Sequence, residues 1–300
     1  MAKTRRKRAP IGVTAYRSCG AVATHLLLLE KYPAFRASQM RLERATTRQR
    51  ETRLDLSRVE VATIKTVVNV VYKTAEQNIS QAQIEGQIAA INKDFRATNS
   101  DKSKTPTPWE GLVTDTRIEF KLVKVTRTKT TADGFSPDDS VKKAQLGIAP
   151  YQSKTHLNVW VCALTGGLLG YAQFPGGPAA TDGVVINYRA FGTTGTAQAP
   201  FNKGRTMTHE VGHYFNLRHI WADTPDCSGS DSVADTPNCA GPNFGTPSWP
   251  HITCNNGPNG DMFMNYMDYT DDVAMFMFTA QQVLRMRTAL EVARAGLMGS

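Results

Sequence analysis

Residues 208–219 of this 300-residue chain read THEVGHYFNLRH, and this stretch decides the fold around it. Residues four apart on an α-helix project from the same face, so His209 and His213 can hold one metal ion together. Glu210 follows the first histidine and can reach a water molecule on that ion. The pattern predicts a helix that presents two zinc ligands and a general base.

His219 stands six residues beyond His213, where a continuing helix would carry its ring to the wrong side. The helix must therefore end, and the chain must turn sharply, before His219 can join the other two rings. Asn216 lies at that point, and asparagine is the best non-glycine residue for a left-handed turn. Three neutral imidazoles leave a fourth position open, which is typical of catalytic rather than structural zinc.

Hydrophobic periodicity before this motif predicts an α/β arrangement. The β-branched residues at 63–72 predict a buried strand, and further strands are expected at 118–122, 156–162, 170–174 and 184–188. Strands and helices together before position 200 predict a sheet with helices packed against it.

Helix starts are marked by two capping-box patterns. Ser80 with Gln83 predicts a helix between the first two strands, and Thr279 with Gln282 predicts a helix at the C-terminal end. Residues 21–53 also have a helical composition, which Pro33 should interrupt.

The net charge of +9 lies entirely at the N-terminal end of the chain. Residues 1–57 hold 13 Lys/Arg against 4 Asp/Glu, and the 22 residues of each sign that remain cancel. A nucleic-acid enzyme is expected to carry positive charge around its working site, so nucleic acid is disfavoured as a partner. The longest apolar runs are far shorter than the roughly 20 residues of a membrane span, so no membrane association is expected.

Residues 265–269 read NYMDY, and with the extended histidine motif they resemble the Met-turn of the metzincin metalloproteases. Within that clan the chain is similar to the pappalysin family from about residue 61 to residue 290. The shared stretches are NKDFRATN, LNVWVC, GGLLGYAQFPGG, VADTPN and NGDMFMNYMDYTDD. This resemblance implies an α/β (α+β) fold of the metzincin type. A mixed twisted sheet with helices would form an upper subdomain to about residue 219, and an irregular lower subdomain at 220–300 would end in a C-terminal helix.

The resemblance also implies a zinc-dependent endopeptidase that is made as a latent zymogen. His209, His213 and His219 would bind the zinc ion, and Glu210 would move a proton from the attacking water to the leaving amine. Met267 would form a hydrophobic floor under the metal. Tyr269 would stabilise the oxyanion of the tetrahedral intermediate.

Substrate recognition in the family implies a role for a strand and for one acidic residue. The strand Gly170, Tyr171 and Ala172 would form the upper rim of the cleft and pair with an extended peptide. Asp272 would lie at the base of the S1′ pocket and favour Arg or Lys at P1′, although Asp271 next to it offers the same chemistry.

Residues 220–264 lack periodicity, and a segment of this kind is generally functional or pinned by cross-links. The resemblance implies a disulfide between Cys227 and Cys254 and a structural calcium ion, for which Asp231 and Asp235 are the candidate ligands. A second family disulfide would fall at Thr246 and Ala274, where both cysteines are missing. Cys239 has no assigned role, and Cys162 is expected to be a buried core thiol.

Cys19 lies in the basic segment and resembles the family's pro-segment cysteine, which would bind zinc in the zymogen. Residues 1–57 would then be a pro-segment that inhibits the catalytic domain at 58–300. If cleavage precedes Arg or Lys, the enzyme could cut its own linker at the Ser57–Arg58 bond, with the bond before Arg53 as the next choice. Cleavage there would remove all nine net positive charges.

Other functions are less well supported by the residues. A zinc-protease clan with Glu as its third ligand is disfavoured by the position of His219. A non-catalytic peptide-binding protein with the same fold remains the alternative, although an intact Glu210 argues against it. A disulfide and a calcium site favour a secreted protein. Residues 21–29, the best candidate for the apolar core of a signal peptide, are interrupted by Thr24 and His25.

Overall fold

A five-stranded sheet forms the centre of the protein in the computed structural model, which describes residues 16–52 and 59–298. The strands in chain order are β1 (Ala62–Tyr72), β2 (Ile118–Lys129), β3 (Leu157–Cys162), β4 (Gly170–Ala172) and β5 (Val184–Asn187). Across the sheet they follow the order β2-β1-β3-β5-β4. The first four in this order are parallel and β4 is antiparallel to β5, which confirms the predicted mixed sheet.

The middle of the sheet is buried on both faces. Strand β3 lies between β1 and β5, and each of its six residues is buried. Its sequence, LNVWVC, is the near-continuous apolar run expected of a parallel strand that is covered by other elements on both sides. Cys162 ends this strand as a buried thiol.

Among the described residues, six α-helices and a small second sheet complete the fold. The helices are α1 (Ala21–Lys31), α2 (Pro33–Glu51), α3 (Gln81–Phe95), α4 (Thr107–Glu110), α5 (Arg205–Tyr214) and α6 (Ala280–Ala293). The second sheet has two short parallel strands, β6 (Phe244–Gly245) and β7 (Tyr269–Thr270). Pro33 starts α2, so the predicted interruption of the N-terminal helical segment is confirmed.

The two predicted capping boxes differ in the structure. At α6, Thr279 and Gln282 make both reciprocal bonds, as predicted. At α3 the Ser80 hydroxyl accepts the N–H of Gln83 at 3.1 Å, but the second half of the box is wrong. The Gln83 amide instead donates to the carbonyl of Phe191 at 2.7 Å, because α3 packs against a buried loop whose carbonyls need donors.

Helix α5 is buried along its whole length and packs against β4 and β5. It ends in the predicted left-handed turn, with Asn216 at φ 75°. The N–H of Leu217 donates to the carbonyl of Gly212 and the N–H of Asn216 to that of His213, both at 2.9 Å. These two bonds make a Schellman motif, which satisfies the last carbonyls of the helix and reverses the chain toward His219.

The N-terminal helices pack against the rest of the protein. Helix α1 lies against β4, and α2 lies against α6. Phe35 and Leu42 of α2 are each 1 % exposed. The linker at 53–58 lies outside the described residues, and with it the Arg53 site and the Ser57–Arg58 bond.

The segment at 220–264 is irregular, as predicted, with β6 as its one strand in the described structure. The disulfide between Cys227 and Cys254 closes much of it. Cys239 is a buried free thiol. Among the described helices, none is both long and apolar enough to cross a membrane.

Candidate metal centre and active site

Three histidine rings meet at the end of α5. The Nε2 atoms of His209 and His213 are 3.2 Å apart, those of His209 and His219 are 3.2 Å apart, and those of His213 and His219 are 3.1 Å apart. All three side chains are almost completely buried. Burial lowers the pKa of His209 and His213, and the charge of the neighbouring imidazoles lowers it further, so these rings are neutral.

Each ring has a hydrogen-bond acceptor at its outer nitrogen. The Nδ1 atom of His209 lies 2.7 Å from the carbonyl of Tyr266, and that of His213 lies 2.8 Å from the carbonyl of Leu217. The Nδ1 atom of His219 lies 2.7 Å from Asp223 Oδ1. These acceptors assign the proton of each ring to Nδ1, which leaves three Nε2 lone pairs facing one another.

Three lone pairs at this distance cannot bond one another, but they can share a cation. Two nitrogens at the corners of a tetrahedral zinc site, each at the usual 2.0–2.1 Å from the metal, lie about 3.3 Å apart. The measured separations of 3.1–3.2 Å are close to that value. The donor set and its outer hydrogen bonds therefore fit zinc.

Cys19 lies beside the three histidines, and its sulfur is within 4.8 Å of their ligand atoms. The sulfur accepts the N–H of Ala21 at 3.3 Å and lies 3.4 Å from Glu210 Oε2. Burial raises the pKa of the thiol, and the charge of Glu210 raises it further. The N-terminal segment thus adds a fourth metal-binding atom to the site.

Glu210 is fully buried between the sulfur and β4. Burial raises its pKa to about 8, although the hydrogen bond with Cys19 and the charge of Arg17 oppose the increase. A Cβ atom at Gly170 would lie 2.8 Å from Glu210 Cγ. Gly170 therefore leaves the space through which the Glu210 side chain passes.

Two further predicted residues flank the histidines. Met267 packs under α5, where a Cβ atom at Gly212 would lie 2.5 Å from the methionine sulfur. The ring of Tyr269 lies 4.9 Å from the ring of His219, and its hydroxyl accepts the N–H of Cys19 at 3.2 Å. Trp221, which the sequence analysis did not identify, stacks on His219 with ring centroids 4.3 Å apart.

The edge strand β4 pairs with the N-terminal segment. The N–H of Gly20 donates to the carbonyl of Gly170 at 2.9 Å, and the N–H of Leu169 donates to the carbonyl of Ser18 at 3.0 Å. Cys19 and Gly170 form a parallel bridge. Gly170, Tyr171 and Ala172 are therefore at an edge that accepts an extended peptide segment.

Asp272 lies at the bottom of a polar pocket that holds Arg17. The guanidinium Nη2 is 2.6 Å from Asp272 Oδ1, and both side chains are at most 1 % exposed. The other nitrogens donate to the carbonyl of Thr270 at 3.2 Å and to the hydroxyl of Thr206 at 3.1 Å. The ion pair is made by Asp272, so the adjacent Asp271 is not the acid that faces this pocket.

The two candidate calcium ligands have different surroundings. The Asp231 carboxylate accepts the hydroxyl of Thr236 at 2.7 Å, and this hydroxyl lies 3.0 Å from the carbonyl of Val233. Burial raises the pKa of Asp231 to about 7. The carboxylate of Asp235 accepts the hydroxyl of Thr279 at 2.6 Å and the N–H of Gln281 at 2.9 Å, at the start of α6.

Asp223 and Arg17 are the main site residues that the sequence analysis missed. Asp223 lies four residues after His219, in the irregular segment at 220–264. Arg17 lies two residues before Cys19, and the predicted preference of Asp272 for basic side chains could have identified it as the partner of that acid. Asp223 contacts His219 and Arg17 contacts Asp272, and sequence spacing alone identifies neither partner.

Comparison with known proteins places this site in a family. A model of the peptidase M43 family, described as pregnancy-associated plasma protein-A, matches residues 142–291. An extracellular metalloprotease of Arthroderma otae is 31% identical over 290 residues, which cover 95% of this chain and 94% of the relative. The chain belongs to the peptidase M43 family. It is a pappalysin-like metalloendopeptidase, as the motif resemblance implied.

Solved structures of M43-like enzymes match the fold in two forms. A promirolysin mutant of Tannerella forsythia has a TM-score of 0.85 at 41% identity, and the match covers 94% of this chain and 97% of that chain. Mature mirolysin of the same organism in complex with a cleaved peptide has a TM-score of 0.77 at 44% identity, covering 81% and 100%. These matches confirm the metzincin fold, and the longer match with the pro-form supports a pro-segment in this M43 chain.

Proposed function

We propose that this chain is the latent form of a zinc endopeptidase in which His209, His213 and His219 hold the metal. The observation that carries the proposal is the set of three inward Nε2 atoms, each backed by an acceptor at Nδ1. A zinc ion held there would supply a Lewis acid that polarises the scissile carbonyl and acidifies a water molecule.

Glu210 is the general base and acid of the proposed reaction. Its carboxylate lies against the fourth corner of the site, where Cys19 now stands. From this position it can take a proton from the attacking water and deliver it to the leaving nitrogen.

Tyr269 and Met267 support this chemistry. The Tyr269 hydroxyl points toward the same corner, since it contacts the backbone of Cys19, and it can donate to an oxyanion that forms there. Met267 packs against Gly212 and so holds α5, the helix that carries His209 and His213, in its position.

Substrate peptides pair with β4 and place a basic side chain against Asp272. Gly170 offers its backbone carbonyl to the segment in the cleft, and a substrate can use the same edge. The pocket that holds Arg17 surrounds a guanidinium with a carboxylate, a carbonyl and a hydroxyl. This environment favours Arg or Lys at P1′.

Latency results from the pro-segment, which we assign to residues 1–57, with the catalytic domain at 58–300. Its residues 17–20 fill the cleft, and Cys19 takes the fourth corner of the metal site. Residues 18–20 of this segment run parallel to β4. We assign the linker cut to the Ser57–Arg58 bond, with the bond before Arg53 as a second choice, because both place a basic residue at P1′.

A structural calcium ion is assigned to the loop at Asp231. Its carboxylate, the hydroxyl of Thr236 and the carbonyl of Val233 bring together the oxygen donors that calcium prefers. The Asp235 carboxylate accepts hydrogen bonds from Thr279 and Gln281 at the start of α6 in the described structure. It would bind the ion only by giving up one of these two bonds.

We place the enzyme outside the cell. Relatives across 95% of the chain are extracellular metalloproteases, and the Cys227–Cys254 disulfide suits an oxidising compartment.

The function is tested on the activated enzyme, which is prepared from the full chain by removal of the pro-segment. Its substrates are quenched fluorescent peptides that carry Arg, Lys or Leu at P1′, and each is assayed with and without a zinc chelator. Glu210→Gln should retain one zinc ion by elemental analysis and lose at least about 1,000-fold in kcat. The exposed Glu110→Gln is the matched control and should behave as wild type. Wild-type turnover by the Glu210→Gln variant would refute the assigned base, and activity without bound metal would refute the zinc site.

A further inference from the structure

The pro-segment contacts the catalytic domain at a second place, outside the cleft. Helix α2 lies along α6 and buries Phe35 and Leu42. The Gln39 amide donates to the carbonyl of Pro175 at 2.7 Å. Gly176 lets this helix approach closely, since a Cβ atom there would lie 2.1 Å from the hydroxyl oxygen of Ser38. This second contact is a fitted surface with both apolar and polar parts.

Glu43 and Arg285 form the polar centre of this contact. The Nη1 atom of Arg285 donates to Glu43 Oε2 at 2.8 Å, and its Nη2 atom donates to the other carboxylate oxygen. The third nitrogen, Nε, donates to the carbonyl of Asn216 at 2.7 Å. The Arg285 side chain is 1 % exposed, so this bidentate pair is shielded from water on the arginine side.

A second guanidinium faces the same carboxylate. Arg218 Nη2 lies 3.4 Å from Glu43 Oε1. Burial works to raise the pKa of Glu43, but the hydrogen bond and charge of Arg285, followed by Arg218, outweigh it and the pKa is lowered. The Glu43 carboxylate thus lies between two cations, Arg285 and Arg218.

Removal of the pro-segment would take away this carboxylate. Among the described residues, Glu43 is the acid that the terminal nitrogens of Arg285 contact, and it belongs to the segment that activation releases. Arg285 would keep its bond to the carbonyl of Asn216, but its terminal nitrogens and Arg218 would lose the anion that lies between them, so the catalytic domain favours an anion at this place.

We propose that Arg218 and Arg285 form a carboxylate-binding site that retains the cleaved pro-segment through Glu43, so that linker cleavage alone does not open the cleft. This inference rests on the proposed function, because it assumes that residues 1–57 are cut off. Cys19, Arg17 and Glu43 are three anchors on one continuous segment. After the cut, each anchor that stays bound keeps the other two close to their sites, so a single broken contact forms again quickly. The segment leaves only when all three contacts are lost, and dilution then prevents it from binding again.

The test uses the full chain with Glu210→Gln, which prevents self-digestion, and with the recognition sequence of an unrelated protease placed in the linker at 53–58. After complete cleavage, the fraction of chain that keeps its pro-segment is measured by native mass spectrometry over a dilution series. Glu43→Gln should raise the dissociation constant of the cleaved segment about 10- to 100-fold. The matched control is Glu51→Gln on the exposed end of the same helix, which should change it less than about twofold.

Equal retention by the Glu43→Gln and Glu51→Gln chains would overturn the inference, and so would immediate loss of the segment from the chain with Glu43 intact. Thermal unfolding of the uncut chains checks that each variant folds. If Glu43→Gln does not fold, Arg218→Gln removes one cation from the other side of the contact and should also weaken retention. No effect of Arg218→Gln in that case would equally refute the site.

The same cleaved chain with Glu210 intact separates this inference from the proposed function. Activity that rises only on dilution supports both. A segment that is retained and then released without any peptidase activity contradicts the function and leaves the carboxylate site standing. Full activity at once after cleavage contradicts the carboxylate site and leaves the function standing.

Discussion

Arg17 and Asp272 form a buried ion pair across 255 residues of sequence, with 2.6 Å between nitrogen and oxygen. The second oxygen of Asp272 accepts the backbone N–H of Lys203 at 2.7 Å, so the carboxylate is held in a fixed orientation. The pro-segment therefore fills the pocket with the kind of side chain that the pocket is proposed to select in substrates. Residues 18–20 of the pro-segment run parallel to β4. A substrate peptide can pair with the edge of a strand in either direction, so its direction in the cleft need not be that of the pro-segment.

Replacing the pocket acid should change specificity more than catalysis. In the activated enzyme, Asp272→Asn should lower kcat/KM for peptides with Arg at P1′ by at least about tenfold, because a buried charge-assisted bond is lost. Peptides with Leu at P1′ should be affected much less. Digestion of a peptide library followed by mass spectrometry compares cleavage before Arg with cleavage before Leu. Asp271→Asn is the matched control. An unchanged preference for basic residues in the Asp272→Asn enzyme would show that another residue selects P1′.

Loss of the pro-segment thiol should shorten latency. Cys19→Ser removes a strong metal ligand from the fourth corner of the site, although the backbone bond to Tyr269 can persist. We expect the full chain with this change to gain activity several-fold sooner after purification than the wild type. Ser18→Ala, a change one residue away, is the control. An identical time course for the Cys19→Ser and wild-type chains would exclude the sulfur as part of the latency mechanism.

Gly170 should be sensitive to the smallest possible side chain. A Cβ atom there would lie 2.8 Å from Glu210 Cγ, so Gly170→Ala must displace the proposed base. Displacement by a fraction of an ångström to one ångström should lower kcat roughly 10- to 100-fold with a smaller effect on KM. Gly111→Ala is the control, since a Cβ atom there meets nothing within 4 Å. Normal kcat in a folded Gly170→Ala enzyme would contradict the close fit between β4 and the base.

Calcium should stabilise the loop at Asp231. Since its pKa is raised to about 7 by burial, a nearby cation should favour the ionised carboxylate and bind more tightly as the pH rises through that value. Thermal unfolding with and without a calcium chelator should show a lower melting temperature without the ion. Asp231→Asn should remove this difference, whereas the exposed-loop change Asp226→Asn should keep it. A calcium effect that survives in Asp231→Asn would place the ion elsewhere.

Local patterns were enough to predict much of this fold. The β-branched residues at 63–72 correspond to β1 and the alternation at 118–122 to β2, and the four-residue spacing of His209 and His213 corresponds to α5, because backbone geometry fixes which neighbours share a face. The turn at Asn216 followed from the need to bring a third histidine back. In each case the constraint acts over a few residues of the chain.

Long-range partners could not be predicted in this way. Gln83 had the right spacing for a capping box, but buried carbonyls more than a hundred residues away took its amide. Arg17 finds its acid at the other end of the chain, and nothing in the local sequence identifies that partner. Glu43 looks like one of several charges on an amphipathic helix until α6 places Arg285 against it. Such contacts depend on how the elements pack.

His25 gives the docked pro-segment a dependence on pH. It lies on α1, with its ring 4.4 Å from that of Phe174, and its buried Nδ1 has no hydrogen-bond partner among the described residues. Burial and, after it, the charge of Arg218 lower its pKa to about 4, although the charge of Glu43 opposes both. A free pro-segment should titrate near 6.5, the ordinary value for histidine.

Acid should therefore weaken docking of the pro-segment. Above about pH 7 His25 is neutral in both states and docking is at full strength, whereas between pH 6.5 and pH 4 the released segment binds a proton that the docked segment does not. At pH 5 the cleaved segment should bind on the order of tenfold more weakly than at pH 7.5 for this reason. His25→Phe keeps an aromatic ring at this position and removes the titration, so its binding should depend less on pH. Wild type, His25→Phe and the control His251→Asn are compared at each pH, so that an effect of acid on other groups is seen in all three. If the His25→Phe and wild-type segments weaken equally between pH 7.5 and pH 5, the pH dependence arises from other groups.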